Sequence, residues 1–230
     1  MVHRLGKLAV ESLFPRFCVS CAREGSLWCG GCSSVFAPSM LPQRCPFCAK
    51  KGSNRTCIEC RSEVYLDGIS AYVPYGNPVV RRAFSVWKYH GDRAIEKVIH
   101  GWMSAASVRM IPPIAPFYVC HVPLHEGKLR LRGFDQAAVI ADWAGTFYGL
   151  PVEELLVRVR PTQSQARVAR NKRGVGEFDG VFEVMPGVKV PEHVLLCDDV
   201  FTSGTTMDAA ARALKEAGAK QVWGWVVARG

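Results

Sequence analysis

A chain of 230 residues with 49% hydrophobic side chains can bury a core of ordinary size and leaves room for a small second unit. No low-complexity tract interrupts it, so the composition excludes a disordered chain. The formal charge of +9 invites an anionic partner, but its distribution along the chain has to be read first.

The opening MVHRLGKLAVESLFPRF has only short apolar patches, broken by Arg4, Lys7 and Glu11 before a signal-peptide core or membrane span can form. A cytoplasmic protein with reduced thiols is therefore expected, and the ten cysteines read as metal ligands ahead of disulfides. Eight of them form four pairs with two residues between partners: Cys18/Cys21, Cys29/Cys32, Cys45/Cys48 and Cys57/Cys60. Such a spacing lets one tight turn aim both sulfurs at one metal, and two turns complete a closed tetrahedral zinc site. Pairing in sequence gives Cys18/Cys21/Cys29/Cys32 and Cys45/Cys48/Cys57/Cys60, with shorter loops than a cross-braced arrangement. Four thiolates leave no open coordination position, so both sites read as structural staples for a zinc-binding module over residues 1–62. The alternative is a docking surface for nucleic acid or protein built on Arg44, Lys50, Lys51 and Arg55. That segment has nine basic and three acidic residues, a formal +6 that two zinc ions with eight thiolates reduce to +2. The remainder carries only +3, so bulk charge is weak evidence for nucleic acid. Cys120 and Cys197 lie in apolar runs and read as buried thiols.

Residues 63–230 alternate strands and helices. GISAYVPY reads as a strand, and Asn77 with Pro78 opens a helix that Gly91 stops. Asp92 is expected to cap the next helix, in which Ile95, Ile99, Trp102 and Ala106 recur at helical spacing. FYVCHV is a buried strand, followed by a basic loop and the helix FDQAAVIADWAGTFYG. The strand HVLLC, the helix MDAAARALKEAG and the strand QVWGWVVA complete the pattern. Apolar strands alternating with helices predict an α/β fold, a mostly parallel sheet with helices on both faces, whose ligands lie beyond the carboxyl ends of the strands.

The stretch VLLCDDVFTSGTT falls at such an end. Val194 to Cys197 is the predicted strand, with Asp198 and Asp199 emerging from it and a helix starting near Met207. Gly204 lets a ligand approach the backbone, while Thr202, Ser203, Thr205 and Thr206 offer hydroxyls in front of helix amides that favour an anion. Two acids beside a phosphate cradle suit a sugar phosphate, whose hydroxyls donate to the acids; an ordinary capped strand-to-helix turn is the alternative. These thirteen residues resemble the 5-phosphoribosyl-1-diphosphate (PRPP) motif of type I phosphoribosyltransferases. The resemblance implies that fold, with Asp198 and Asp199 on the ribose hydroxyls and Thr202, Ser203, Gly204, Thr205 and Thr206 around the 5′-phosphate.

Upstream, VPLHEGKLRLRGFDQA resembles the diphosphate-binding loop of the same enzymes and, more narrowly, the VPxxxxRxxxRGFNQ region of the ComF family. Lys128 and Asp135 stand where that family commonly has Arg and Asn. Pro123, Leu124 and His125 are implied as the loop, with Lys128, Arg130 and Arg132 supplying charge and His125 as acid or orienting donor. The segment RVRPTQSQARVARNKRGVGEFDGVFEV also fits, apart from Gly174 in place of Asn. Its Arg158, Arg160, Arg167, Arg170, Lys172 and Arg173 suit either a lid over diphosphate or a solvated basic loop. The cysteine pairs, basic loop and terminal motif follow the ComF order over nearly the whole chain. That likeness implies two functions to be weighed: a magnesium-assisted phosphoribosyl transfer, and an accessory role in DNA uptake with single-stranded DNA and a DNA-translocation helicase as partners. The opening MVHR has no catalytic N-terminal cysteine, so a fused glutamine amidotransferase is not expected.

Overall fold

A computed structural model describes residues 15–36, 41–90, 93–106, 118–160 and 180–230. Its centre is a sheet of four parallel strands, β1 (Gly68–Pro74), β2 (Tyr118–His121), β5 (His193–Phe201) and β6 (Gln221–Arg229), in the order β1-β6-β5-β2. The two nine-residue strands occupy the middle, as their near-continuous apolar runs require. Along β6 the side chains alternate: Trp223, Trp225 and Val227 join one core, and Val222 and Val226 the other.

Three helices cover the first face: α2 (Pro78–His90), α3 (Arg93–Ala106) and α5 (Gln136–Tyr148). They bring Phe84, Trp87, Ile95, Ile99, Met103 and Ile140 onto the sheet, all fully buried. Asn77 caps α2 as expected, accepting from the Val79 amide at 2.9 Å; the predicted stop at Gly91 and cap at Asp92 lie outside the described residues. The second face is covered by α6 (Thr205–Glu216), with Met207, Ala210, Ala211 and Leu214 inward. Beside it lies an antiparallel ribbon that the alternation of elements had not announced, β3 (Leu156–Arg158) paired with β4 (Phe182–Val184). Close approach of α6 depends on Gly224 of β6, where an added Cβ would lie 2.6 Å from Met207 Sδ.

The cysteines gather in sequence, Cys18/Cys21/Cys29/Cys32 and Cys45/Cys48/Cys57/Cys60, with the sulfurs of each set within 4.8 Å of one another and none in a disulfide. A tetrahedral zinc with bonds of about 2.3 Å sets its sulfurs about 3.8 Å apart, and Cys21–Cys29 (3.7 Å) and Cys48–Cys57 (3.5 Å) match it. Burial raises the Cys18 and Cys45 thiols, but backbone hydrogen bonds outweigh it and bring both down to about 6. Both sets thus fit structural zinc.

The two units begin with the same hairpin. Ala22 (φ 60°) and Ala49 (φ 61°) each follow the second cysteine and donate back to the carbonyl of the first, at 2.9 and 3.1 Å. The amides of Cys18 and Cys45 then bond the carbonyls of Arg23 and Lys50, both at 2.9 Å. The rest of the first unit includes a short helix, α1 (Gly30–Val35), whereas the second closes with a turn after Cys57.

Each unit grips a different part of the sheet domain. Trp28 and Phe36 of the first pack on Trp102 of α3, at 5.8 and 5.0 Å between ring centroids. Arg82 of α2 donates to the Val19 carbonyl at 3.0 Å. The second unit is held by the buried Arg229 at the end of β6, which donates to the carbonyls of Cys45 (2.8 Å) and Arg44 (3.2 Å). Phe47 meets Phe201 edge to face at 6.0 Å.

A left-handed backbone strains any residue with a Cβ, by about 1–2 kcal/mol, partly offset by the greater unfolded-state entropy of glycine. Ala22→Gly and Ala49→Gly should therefore each stabilise the zinc-loaded protein by ~0.5–1 kcal/mol, and Ala49→Val should destabilise it. Guanidinium unfolding at a fixed free-zinc concentration reads both directions.

Candidate functional site

The carboxyl ends of β2 and β5 diverge unequally. The last β2 pair joins His121 to Cys197, whereas β5 stays paired with β6 as far as Phe201 opposite Arg229. Asp198 and Asp199 therefore lie inside β5, and not beyond it as the sequence pattern suggested. Their β2 side is open because that strand is short. The following helix likewise starts two residues early, at Thr205.

Consecutive strand residues face opposite ways, and the acids divide accordingly. Asp198 lines a recess of about 270 Å³ including its mouth, shared with Val200, Phe201 and the whole run from Thr202 to Met207. Asp199 instead turns to α2, where Lys88 Nζ lies 2.6 Å from its Oδ2. The Asp199 amide donates to Asp198 Oδ1 at 2.8 Å, which ties the two together. Burial and then the charge of Asp199 push Asp198 up to about 8. Burial opposes the charge on Lys88, but Asp199 and Asp198 more than restore it, and its pKa is raised.

The hydroxyl loop bends through Thr202, Ser203 and Gly204 into α6. Gly204 is the N-cap with φ 83°; a Cβ there would meet Phe201 at 2.5 Å and Phe47 at 2.9 Å, so only glycine fits. Gly204 offers no side chain to the amides of the first turn, and the Thr205 amide bonds Ser203 Oγ at 3.5 Å. Ser203 Oγ and Thr205 Oγ1 are 2.9 Å apart and form one edge of the cradle.

The second predicted loop, Pro123, Leu124 and His125, leaves β2 beside this recess. Asp135 fastens it: Oδ2 accepts from the Leu124 amide and Oδ1 from the Ala137 amide that opens α5, both at 2.9 Å. Downstream of this loop the chain forms a helix, α4 (Glu126–Arg132), in place of the open basic loop expected. His125 caps it, Nδ1 accepting from the Gly127 amide at 3.2 Å, so the neutral ring carries its proton on Nε2. Helical spacing puts Lys128 and Arg132 on one side. Arg130 is highly exposed and lies 3.4 Å from Glu126.

Lys128 shows how crowded the cations are. Burial first, then Arg158, Arg132 and Lys88, hold its pKa below the usual lysine range. Arg158, on β3, is likewise lowered by burial, against the pull of Asp198 and Asp135. Arg132 donates to Gln136 Oε1 at 3.1 Å and lies 6.0 Å from the Tyr89 ring. Arg160 lends its carbonyl to Arg158 Nε at 3.4 Å; Arg167, Arg170, Lys172, Arg173 and Gly174 lie outside the described residues. The hydroxyl loop and Asp198 thus share one recess, and Arg158 lies close enough to Asp198 to interact with it electrostatically. Sequence reasoning missed Lys88, although one charge beside Phe84 and Trp87 on the inward stripe of α2 was a legible signal.

Residues 167–229 match the phosphoribosyl transferase domain family, a span that takes in β4, β5, the hydroxyl loop, α6 and β6. The chain is 27% identical to competence protein ComFC of Streptococcus pneumoniae over 202 residues, 86% of each protein. It is 25% identical to competence protein ComFC of Bacillus subtilis over 182 residues, 76% of this chain and 72% of that one. With competence protein F of Haemophilus influenzae the identity is 24% over 116 residues, about half of each.

The acid couple dictates a pH dependence. Between its ordinary value of 3.8 and about 8, Asp198 keeps a proton in the folded protein that the unfolded chain has released. Each rise in pH through that window therefore costs stability. Asp198→Asn should melt with wild type near pH 3, below both values, and progressively above it as the pH rises to 8, at about 2–4 °C per kcal/mol for a chain of this size; thermal unfolding across the pH series checks it.

Proposed function

The chain belongs to the ComF family, and from that membership and the recess at the end of β5 we propose that it binds PRPP and serves in competence. The observation that carries the ligand is one recess walled by Asp198 and by the hydroxyl loop at the start of α6, with Arg158 of β3 acting electrostatically on Asp198 and, with Arg132, on Lys128. The 5′-phosphate lies on Thr202 to Thr206 and takes the α6 amides. Ribose hydroxyls donate to Asp198 and Asp199. The diphosphate is received by Pro123, Leu124 and His125 with Lys128, Arg132 and Arg158.

Among the described residues only the two cysteine sets cluster as metal ligands. Magnesium would enter with the diphosphate of the ligand, and the chemistry it would supply there is neutralisation of charge on the leaving group. In transfer, a nucleophilic atom of the acceptor bonds to the anomeric carbon as its bond to a diphosphate oxygen breaks, the electron pair leaves with the diphosphate, and the proton of the nucleophile passes to solvent. Lys128, Arg132 and Arg158 stabilise that charge, and the Nε2 proton of His125 supplies a hydrogen bond to it. No side chain forms a covalent intermediate.

Its relatives carry the name competence protein, and we place this chain in cytoplasmic handling of DNA taken up during natural transformation. Single-stranded DNA and a DNA-translocation helicase are the partners of that reading, with the basic run from Arg160 to Arg173 and the cysteine-rich module together as the contact. Two functions therefore compete for the recess, transfer from PRPP and regulation of a DNA-handling protein by PRPP.

Titration calorimetry with PRPP and magnesium should give saturable binding to wild type and at least about a tenfold loss in Asp198→Asn/Asp199→Asn. Absence of wild-type binding sinks the ligand assignment. Diphosphate released in the presence of candidate acceptors decides for transfer. A single-stranded DNA titration at two salt concentrations reads the other partner, whose binding should fall steeply with salt.

A further inference from the structure

The acids of β5 have a third partner that comes from neither loop. Lys88 on α2 reaches Asp199 from the opposite face of the sheet, and the two side chains are 22% and 13% exposed. Phe84 lies under the ammonium, 6.0 Å from ring centroid to Nζ. Lys88 also acts electrostatically on Asp198 and on Lys128. It thus stands between the carboxylates of β5 and the cations of α4, and belongs to neither group.

That position creates a conflict as soon as a sugar diphosphate enters. The carboxylate oxygen nearest the ammonium is one that a ribose hydroxyl needs, while the incoming diphosphate needs positive charge. One motion resolves both demands. A lysine suits it, since its stem is flexible and its three donors form a compact charge that can change partners. An ion pair buried in this way is by itself poor evidence for a stabilising role.

We propose that Lys88 is an exchangeable counter-ion, paired with Asp199 before ligand arrives and transferred to the ligand's diphosphate on binding, so that Asp199 is released to the ribose. The ribose half rests on the PRPP reading above; the diphosphate half stands on the placement of Lys88 among the cations. The exchange makes the site selective: a sugar monophosphate offers nothing to draw Lys88 away from Asp199, and a diphosphate ester does.

Calorimetry with inorganic diphosphate, PRPP and ribose 5-phosphate, at constant magnesium, tests this on wild type and three variants. Lys88→Met should weaken inorganic diphosphate and PRPP by about tenfold or more while changing ribose 5-phosphate by less than about twofold. Asp199→Asn, which keeps Lys88 but releases it, should tighten inorganic diphosphate, and the gain should vanish in Lys88→Met/Asp199→Asn. Equal losses for all three ligands in Lys88→Met make Lys88 a plain counter-ion and overturn the proposal. Tightening of all three makes it only a competitor of the sugar and overturns the proposal too. Diphosphate binding that is absent in wild type, weakened by Asp199→Asn or still tightened in the double variant overturns it as well. If Lys88→Met does not fold, the Asp199→Asn arm decides alone. A wild type that binds inorganic diphosphate with these dependences but not PRPP overturns the proposed function and leaves the role of Lys88 standing.

Discussion

Two adjacent residues on a strand cannot face the same side of a sheet, and that constraint organises this molecule. Asp198 faces the layer of α6, and Asp199 faces the layer of α2. An acid couple at this point therefore draws on both layers at once, the hydroxyl loop from one and Lys88 from the other. Both acids are sheltered from water, which is why one is pushed toward neutrality and the other needs a lysine. The site is not a decoration on one loop. It is the place where the two cores meet around the end of a strand.

The cysteine units extend the same arrangement outward. The first leans on α2 and α3 through Trp28, Phe36 and Val19, and so lies on the layer that carries Lys88. The second leans on the end of β6 and, through Phe47, on Phe201 and Gly204. Each four-cysteine cluster thus braces the layer behind one of the acids. A small cysteine-rich segment has too little apolar surface to hold itself together, and here it also spends that surface on supporting a pocket.

Much of this was legible in the sequence because it depends on local pattern. Strands buried on both faces must be nearly continuous in apolar residues, so β5 and β6 could be placed from composition. Paired cysteines at a fixed spacing can close on one metal without reference to the rest of the chain, and the sulfurs gather in sequence. The hydroxyl loop carried its own glycine. What escaped depended on distant partners. The extension of β5 through Asp199 follows from pairing with β6 and from the early end of β2. Helix α4 hides in a run of basic residues with little apolar periodicity, started by an unusual histidine cap. Lys88 stood out as the one charge on the inward stripe of α2, but its target lies more than a hundred residues away in sequence. The ribbon of β3 and β4 uses strands of three residues, too short to show an alternation.

The place of β6 in the sheet has a consequence for the order in which the protein can be made. β1 and β5 never touch through a ladder; each pairs with β6, the final strand of the sheet in chain order. As the chain emerges during synthesis, each cysteine unit can close around zinc within a short stretch, since its ligands are near neighbours in sequence. The sheet has no such option, because its central ladder is absent until β6 appears. The metal units are thus finished parts waiting on an unfinished one, and Arg229, which docks the second of them, arrives with the strand that completes the sheet.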